Sequence, residues 1–288
     1  MTLRRVALGV VAALLVAAAV TVLVVRTSGG TTPDVAPSSR APSSTIPSAT
    51  PSAASPSPTP AAVPHAVVAL GDSVPAGNVC GCRPFPEVYG TLLSQRTGAP
   101  VSVDNLAVGG LDTSGLIAQL GRPNYQAAVR RSDIVLITIG ANDFGDHHDQ
   151  VVTGRCGTGN ADCVADEVTA LRAHLTTVLD RIRALRGTAP TTILVTGYWN
   201  VFQDGDVARR DVGEAGLQAS LRLTDRANAV IQSVSAAEGA HYVDLFTAFN
   251  STGQDITGLM AGDGDHPNAA GHRLIAEALI DAGLPRVT

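Results

Sequence analysis

From His65 onward the sequence alternates five short aliphatic, β-branched runs with longer segments of helical period. The runs are "AVVAL" (66–70), "VSVDNLA" (101–107), "DIVLITIG" (133–140), "TTILVTG" (191–197) and "HYVDLF" (241–246). The first, third and fourth are nearly all apolar or β-branched, as strands covered on both faces of a parallel sheet must be. Candidate helices fall near 85–97, 113–131, 164–186, 213–238 and 268–283. In the third, Val164, Val168, Leu171, Leu175, Val178, Leu179, Ile182 and Leu185 share one helical stripe, with arginines and aspartates opposite. This alternation predicts one α/β domain, a three-layer α/β/α sandwich around a mainly parallel five-stranded sheet. Ligands of such sheets bind beyond the carboxyl ends of the strands. The residues that follow each strand therefore carry the functional question.

The first sixty-four residues lie outside that pattern. Arg4 and Arg5 precede a charge-free, largely apolar run from Val6 to Val25, which Arg26 ends. At about 1.5 Å per helical residue, twenty residues span roughly 30 Å, the thickness of a bilayer's hydrocarbon core. A secretory signal has a shorter apolar region and a small-residue cleavage site, whereas bulky Val and Leu continue here past the alanines. Residues 1–26 are expected to be an uncleaved signal anchor, with a cleaved signal peptide as the alternative. The leading arginines would stay cytoplasmic and send the remainder outside. Residues 27–64 are dominated by Ser, Thr, Pro and Ala without apolar period, a composition that cannot offset its own ordering entropy. They are expected to be a disordered tether between the anchor and a domain at 65–288.

Four cysteines, Cys80, Cys82, Cys156 and Cys163, suit two disulfides in an oxidising compartment, with three connectivities open. Cys156 and Cys163 bracket the short loop "CGTGNADC" and form the most plausible local pair, which leaves Cys80 with Cys82. Crossed pairing stays open. A four-cysteine zinc site is disfavoured, because "CGC" is too tight for paired ligands.

After the first run comes "GDSVPAG", with Ser73 in a glycine-bounded turn; after the second, "NLAVGG", whose Gly109–Gly110 doublet bares backbone N–H groups. After the third comes "GAND", where the Asn142 amide supplies a donor for developing negative charge. Each alone is an ordinary loop. Near the C-terminus "DGDHP" offers His266 with Asp263 three positions earlier. A serine hydroxyl needs an imidazole to take its proton, and the imidazole needs a carboxylate on its other nitrogen. Asp265, adjacent in sequence to His266, would point elsewhere.

These four blocks, in this order at strand ends, resemble the SGNH (GDSL) hydrolase family. The resemblance covers residues 71–267. It implies a flavodoxin-like fold and a serine esterase or lipase with Ser73 as nucleophile, His266 as base and Asp263 as its orienting acid. It further implies an oxyanion hole from the Ser73 N–H, a glycine N–H and the Asn142 side chain. The spacing after Asn105 favours Gly110, with Gly109 as the alternative. Pro75 departs from the hydroxyl residue that the family often carries two positions after the serine. No cofactor or metal is implied.

Competing sites are weaker. The G-x-S-x-G elbow of α/β-hydrolases is absent. "GDHHD" (His147, His148, Asp149) and the pair His266 and His272 lack the spacing that sets two imidazoles on one helical face. The mild net charge of −5 and the lack of a basic stripe exclude nucleic acid as the expected partner. Tyr198 and Trp199, in "TGYWN" after the fourth run, are candidates for a substrate pocket, with core packing the equal alternative. The expected activity is extracytoplasmic hydrolysis of carboxylic esters by a membrane-anchored monomer, or by a secreted one if the leader is cleaved. The substrates that fit are lipid, acetylated polysaccharide and small esters. Two rivals remain: an O-acyltransferase acting on cell-wall polysaccharide, and a non-catalytic surface binding module.

Overall fold

The computed structural model describes residues 64–283 except 146, 157–161, 201, 203 and 254. The expected anchor, and all of the tether but Pro64, lie outside the described residues. Five strands form one sheet: β1 (Ala66–Gly71), β2 (Ser102–Asn105), β3 (Ile134–Thr138), β4 (Thr192–Thr196) and β5 (His241–Val243), in the order β2-β1-β3-β4-β5. Every pairing is parallel. β3 is buried at all its positions and β1 at all but the first, which is why those runs contain almost nothing polar.

The helices are α1 (Ser73–Ala76), α2 (Phe85–Thr97), α3 (Thr113–Gln119), α4 (Pro123–Arg131), α5 (His148–Val152), α6 (Ala165–Arg186), α7 (Gly205–Asp211), α8 (Gly213–Ala237), α9 (Leu245–Asn250) and α10 (Ala269–Gly283). The expected helix over 113–131 is two helices. Pro123 has no N–H to continue a ladder and instead opens α4 at its first turn.

Parallel crossovers are right-handed, so connections running in opposite directions along a sheet place their helices on opposite faces. The chain leaves β1 towards β2 through α2, then reverses and runs to β3, β4 and β5. Accordingly α3 and α4 pack against α6, and α6 against α8, while α10 returns to lie beside α2. The buried His272 of α10 completes that docking, its Nδ1 accepting a hydrogen bond from the Phe85 N–H at 3.2 Å. The reversal puts β1 and β3 side by side with their outgoing loops diverging. The crevice at such a switch point is where open α/β sheets bind ligands.

Candidate active site

Ser73 lies two residues past the end of β1. Gly71 has φ +135, and a Cβ there would lie 1.8 Å from the Thr138 carbonyl oxygen of β3, so only glycine lets the chain leave the sheet at this point. The Asp72 N–H donates back to that same oxygen at 3.0 Å. Asp72 then caps α1, its Oδ1 accepting from the Val74 N–H at 2.9 Å. The turn aims the Ser73 side chain into a cleft of about 180 Å³, shared with Asn142, Asp265, His148 and Phe202 among others.

Asn142 opens a short 3-10 turn just past β3. Its Nδ2 donates to the Leu111 carbonyl at 2.9 Å, which fixes the amide; among the described residues its second hydrogen has no partner. The next residue, Asp143, accepts from both the N–H and the hydroxyl of Thr113 and so binds this turn to the start of α3. Burial pushes the Asp143 carboxyl above the usual range, against the pull of those two bonds.

The glycine doublet closes a turn in which the Leu111 N–H donates to the Val108 carbonyl at 3.2 Å. Gly110 carries φ +76, the conformation that a type II turn demands of its third residue. A Cβ on Gly109 would meet Asn78 Nδ2 at 2.4 Å, so this position admits the chain beyond α1. Asn105 ties the loop to the Ser73 turn, its Nδ2 donating to the Pro75 carbonyl at 2.7 Å.

His266 lies in the loop before α10. Its Nδ1 is 2.7 Å from Asp263 Oδ2 and 3.8 Å from Asp265 Oδ2. Asp263 Oδ1 also accepts from the backbone N–H groups of Asp265 and His266, each at 3.1 Å. Partial burial pushes Asp263 up, but the His266 ring and the two N–H donors outweigh it and hold the carboxyl below the usual range. Burial and the neighbouring Asp263 raise Asp265 to about 6, against the pull of His266. Asp265 lines the same cleft as Asp72 and Ser73, which brings this loop to the Ser73 turn. Ser73 Oγ makes no hydrogen bond to a described residue. Contacts of this kind are commonly long before substrate binds.

Tyr198 and Trp199 do not line the cleft. Both are fully buried; Trp199 stacks on Phe249 at 4.5 Å, and the expectation of a substrate-pocket role is corrected to one in the core. Tyr198 nevertheless reaches the site from behind. Its hydroxyl donates to Asp72 Oδ2 at 2.5 Å and accepts from the Ala141 N–H at 3.4 Å, bridging the loops after β1 and β3. Burial raises Asp72 to about 7 despite the lowering bonds from Tyr198 and Val74. Sequence reasoning missed this pair and the cleft residues His148 and Phe202. An aspartate before a short helix is a readable cap, but its partner lies 126 positions away.

Cys80 is bonded to Cys82 and Cys156 to Cys163. Cys80 and Cys82 also lie within 4.8 Å of a ring nitrogen of His272, a donor set that could hold a metal ion. With the sulfurs bonded to each other and His272 Nδ1 accepting from Phe85, no thiolate is free and the neutral ring's proton falls on Nε2, so the site as built does not fit an ion.

A serine turn after the first strand, two loops beside it that offer N–H and amide groups, and a His–Asp pair from the C-terminal loop are the arrangement expected of an SGNH hydrolase. Residues 69–274 match the GDSL-like lipase/acylhydrolase family, and the chain belongs to it. Its kind of chemistry is ester hydrolysis. Among proteins of known function it is similar to the spore germination lipase LipC of Bacillus licheniformis, 22% identical over 223 residues, 76% of this chain and 96% of that one. Solved structures with the same fold include the lipase Lip_vut3 from a goat rumen metagenome (TM-score 0.64, 20% identity, covering 78% of this chain and 100% of that one). Others are phospholipase A1 from Streptomyces albidoflavus (0.53, 25%, 76% and 100%) and an acetyl xylan esterase variant from Geobacillus stearothermophilus (0.55, 20%, 77% and 97%).

Proposed function

We propose that this protein is an extracytoplasmic serine esterase that works through an acyl-enzyme on Ser73. The observation that carries the proposal is that Ser73 and the half-free Asn142 amide share one cleft, while His266 is oriented by Asp263 in the loop bordering it. His266 takes the Ser73 proton as Oγ attacks the ester carbonyl. The oxyanion is held by the Asn142 amide and the N–H groups of Ser73 and Gly110, and the alcohol leaves with the proton from His266. Water then attacks the acyl-enzyme with His266 again as base, releasing the acid and restoring Ser73.

Exposure of the domain outside the cell is supported by the arginine-flanked apolar run Val6–Val25, the Ser/Thr/Pro/Ala tether and the paired cysteines. Among the described residues no helix is long and apolar enough to cross a membrane; the expected anchor at residues 1–26 lies outside them. The relatives include proteins described as acting on lipids and on acetylated xylan, and either ester class fits the proposed chemistry.

The test is hydrolysis of p-nitrophenyl esters by the wild type and by Ser73→Ala. Turnover abolished by the substitution is the expected result. A well-folded protein that cleaves no ester, or one whose activity survives Ser73→Ala, refutes the reading. Proteolysis of intact cells addresses location: the domain should be shaved from the outside.

A further inference from the structure

We infer that the cleft over Ser73 selects esters of short acyl chains, and that the Phe202 ring is the wall that sets the limit. This rests on the esterase reading above and adds its substrate class.

The space beside the nucleophile is about 180 Å³. Pockets that bury a drug-sized ligand begin near ~300 Å³, so this one takes a small group and not an extended fatty tail. Its lining is chemically mixed. Asp72, Ser73, Asn142, His148 and Asp265 are polar, whereas Val74, Ala141, Gly145 and Phe202 offer apolar surface that suits the carbons of an acyl group. The alcohol must receive its proton from His266, whose loop borders the cleft at Asp265.

Phe202 is a fixed wall. The ring is 8% exposed and meets Phe144 edge-on at 5.9 Å, and Phe144 is itself fully buried. On another side it stacks against His148 at 5.4 Å with 24° between the planes. Burial lowers the proton affinity of His148, so at neutral pH the ring beneath Phe202 is uncharged and packs as an apolar plate. The larger groove between α5 and α8, about 760 Å³, is lined by none of the residues of the Ser73 cleft.

The experiment reads chain length with p-nitrophenyl acetate, butanoate, octanoate and dodecanoate on the full-length wild type, Phe202→Ala and Phe202→Leu. The wild type should favour butanoate over dodecanoate by about 100-fold in kcat/KM. Phe202→Ala should cut that preference by about tenfold or more, with Phe202→Leu between, since even one methylene of misfit is worth roughly 10-fold. Phe202→Leu keeps an apolar contact on Phe144 and guards against loss of fold in the alanine variant, with thermal melts of all three as the check. Equal or better use of dodecanoate by the wild type, or an unchanged preference in folded variants, overturns the inference.

A second measurement does not need turnover. Butyl and dodecyl methyl ketones are titrated into Ser73→Ala while the His148 ring resonances are followed. Only the butyl ketone should shift them, and adding Phe202→Ala should admit the dodecyl ketone. If no ester is hydrolysed, the esterase reading falls, but this titration still decides the cleft: an equal response to both ketones with Phe202 in place refutes its role as the limit.

Discussion

Ser73 and Asn142 are held by the sheet, whereas Asp263 and His266 are held by their own loop. Around Ser73 the turn's own local bonds are joined by anchors remote in sequence: the Thr138 carbonyl packs against Gly71, the Tyr198 hydroxyl meets Asp72, and Asn105 bonds to Pro75. Asp72 is 1% exposed. In the acid–base loop the decisive bonds span two or three residues, from the Asp265 and His266 N–H groups and the His266 ring to Asp263, and the Asp263 side chain is one-third exposed. The loop is fastened to the fold at fewer points, such as the Asp204 N–H donating to the Gly264 carbonyl at 2.8 Å. Damage on the sheet-held side should therefore cost stability together with activity. Damage on the loop-held side should cost activity alone.

Gly71→Ala tests that contrast most severely. Its methyl group would overlap the Thr138 carbonyl, and the protein should fail to reach a cooperatively melting state. A normal melt would show that the strand exit is not fixed in this way. Asp263→Asn should leave the melting temperature within a few degrees of wild type but lower kcat by about 10³–10⁴-fold, because the amide disrupts the tautomer that the carboxylate selects. If it unfolds the protein instead, the loop is as structural as the strand exit and the contrast fails.

Tyr198→Phe sits between the two extremes. It strips a buried carboxylate oxygen of its donor, at a cost of about 1–3 kcal/mol, and loosens the bridge between the loops after β1 and β3. kcat should fall roughly tenfold with KM little changed. A pH signature identifies the cause. Burial raises the folded Asp72 carboxyl to about 7, above the usual aspartate range, so its contribution to stability is complete below about pH 4 and is lost as pH rises through 7. Removing the Tyr198 bond, which lowers that pKa, should carry the loss to higher pH in urea melts, while Asp72→Asn should flatten it. The same pH slope in all three proteins would refute the assignment. The smallest effect belongs to Asp265→Asn. His266 is 3.8 Å from it and 2.7 Å from Asp263, so kcat/KM should change by less than about tenfold. A loss as large as that of Asp263→Asn would make Asp265 the orienting acid.

The three central strands were legible in the sequence because burial on both faces leaves an unbroken apolar run, and the long helices because one-sided burial leaves a stripe. The break between α3 and α4 was less visible: the stretch keeps its helical character on both sides, and only Gly121 and Pro123 mark the seam. Asp263 and His266 could be singled out because their contact is made within one turn of chain. Tyr198 and Trp199 were harder. Aromatic residues just past a strand end occur both at pocket mouths and in cores, and local sequence carries no measure of depth.

The sequence by itself determined the α/β layering, the order of the loops at the strand ends and the local His–Asp pairing, since each follows from periodicity or from contacts a few residues apart. Only the tertiary structure decided that Tyr198 braces Asp72 across 126 positions, that Gly71 must be bare against Thr138 and that Phe202 walls the cleft. Those contacts join segments brought together by the reversal of the chain between β1 and β3, and burial there depends on how whole layers pack rather than on any neighbouring residue.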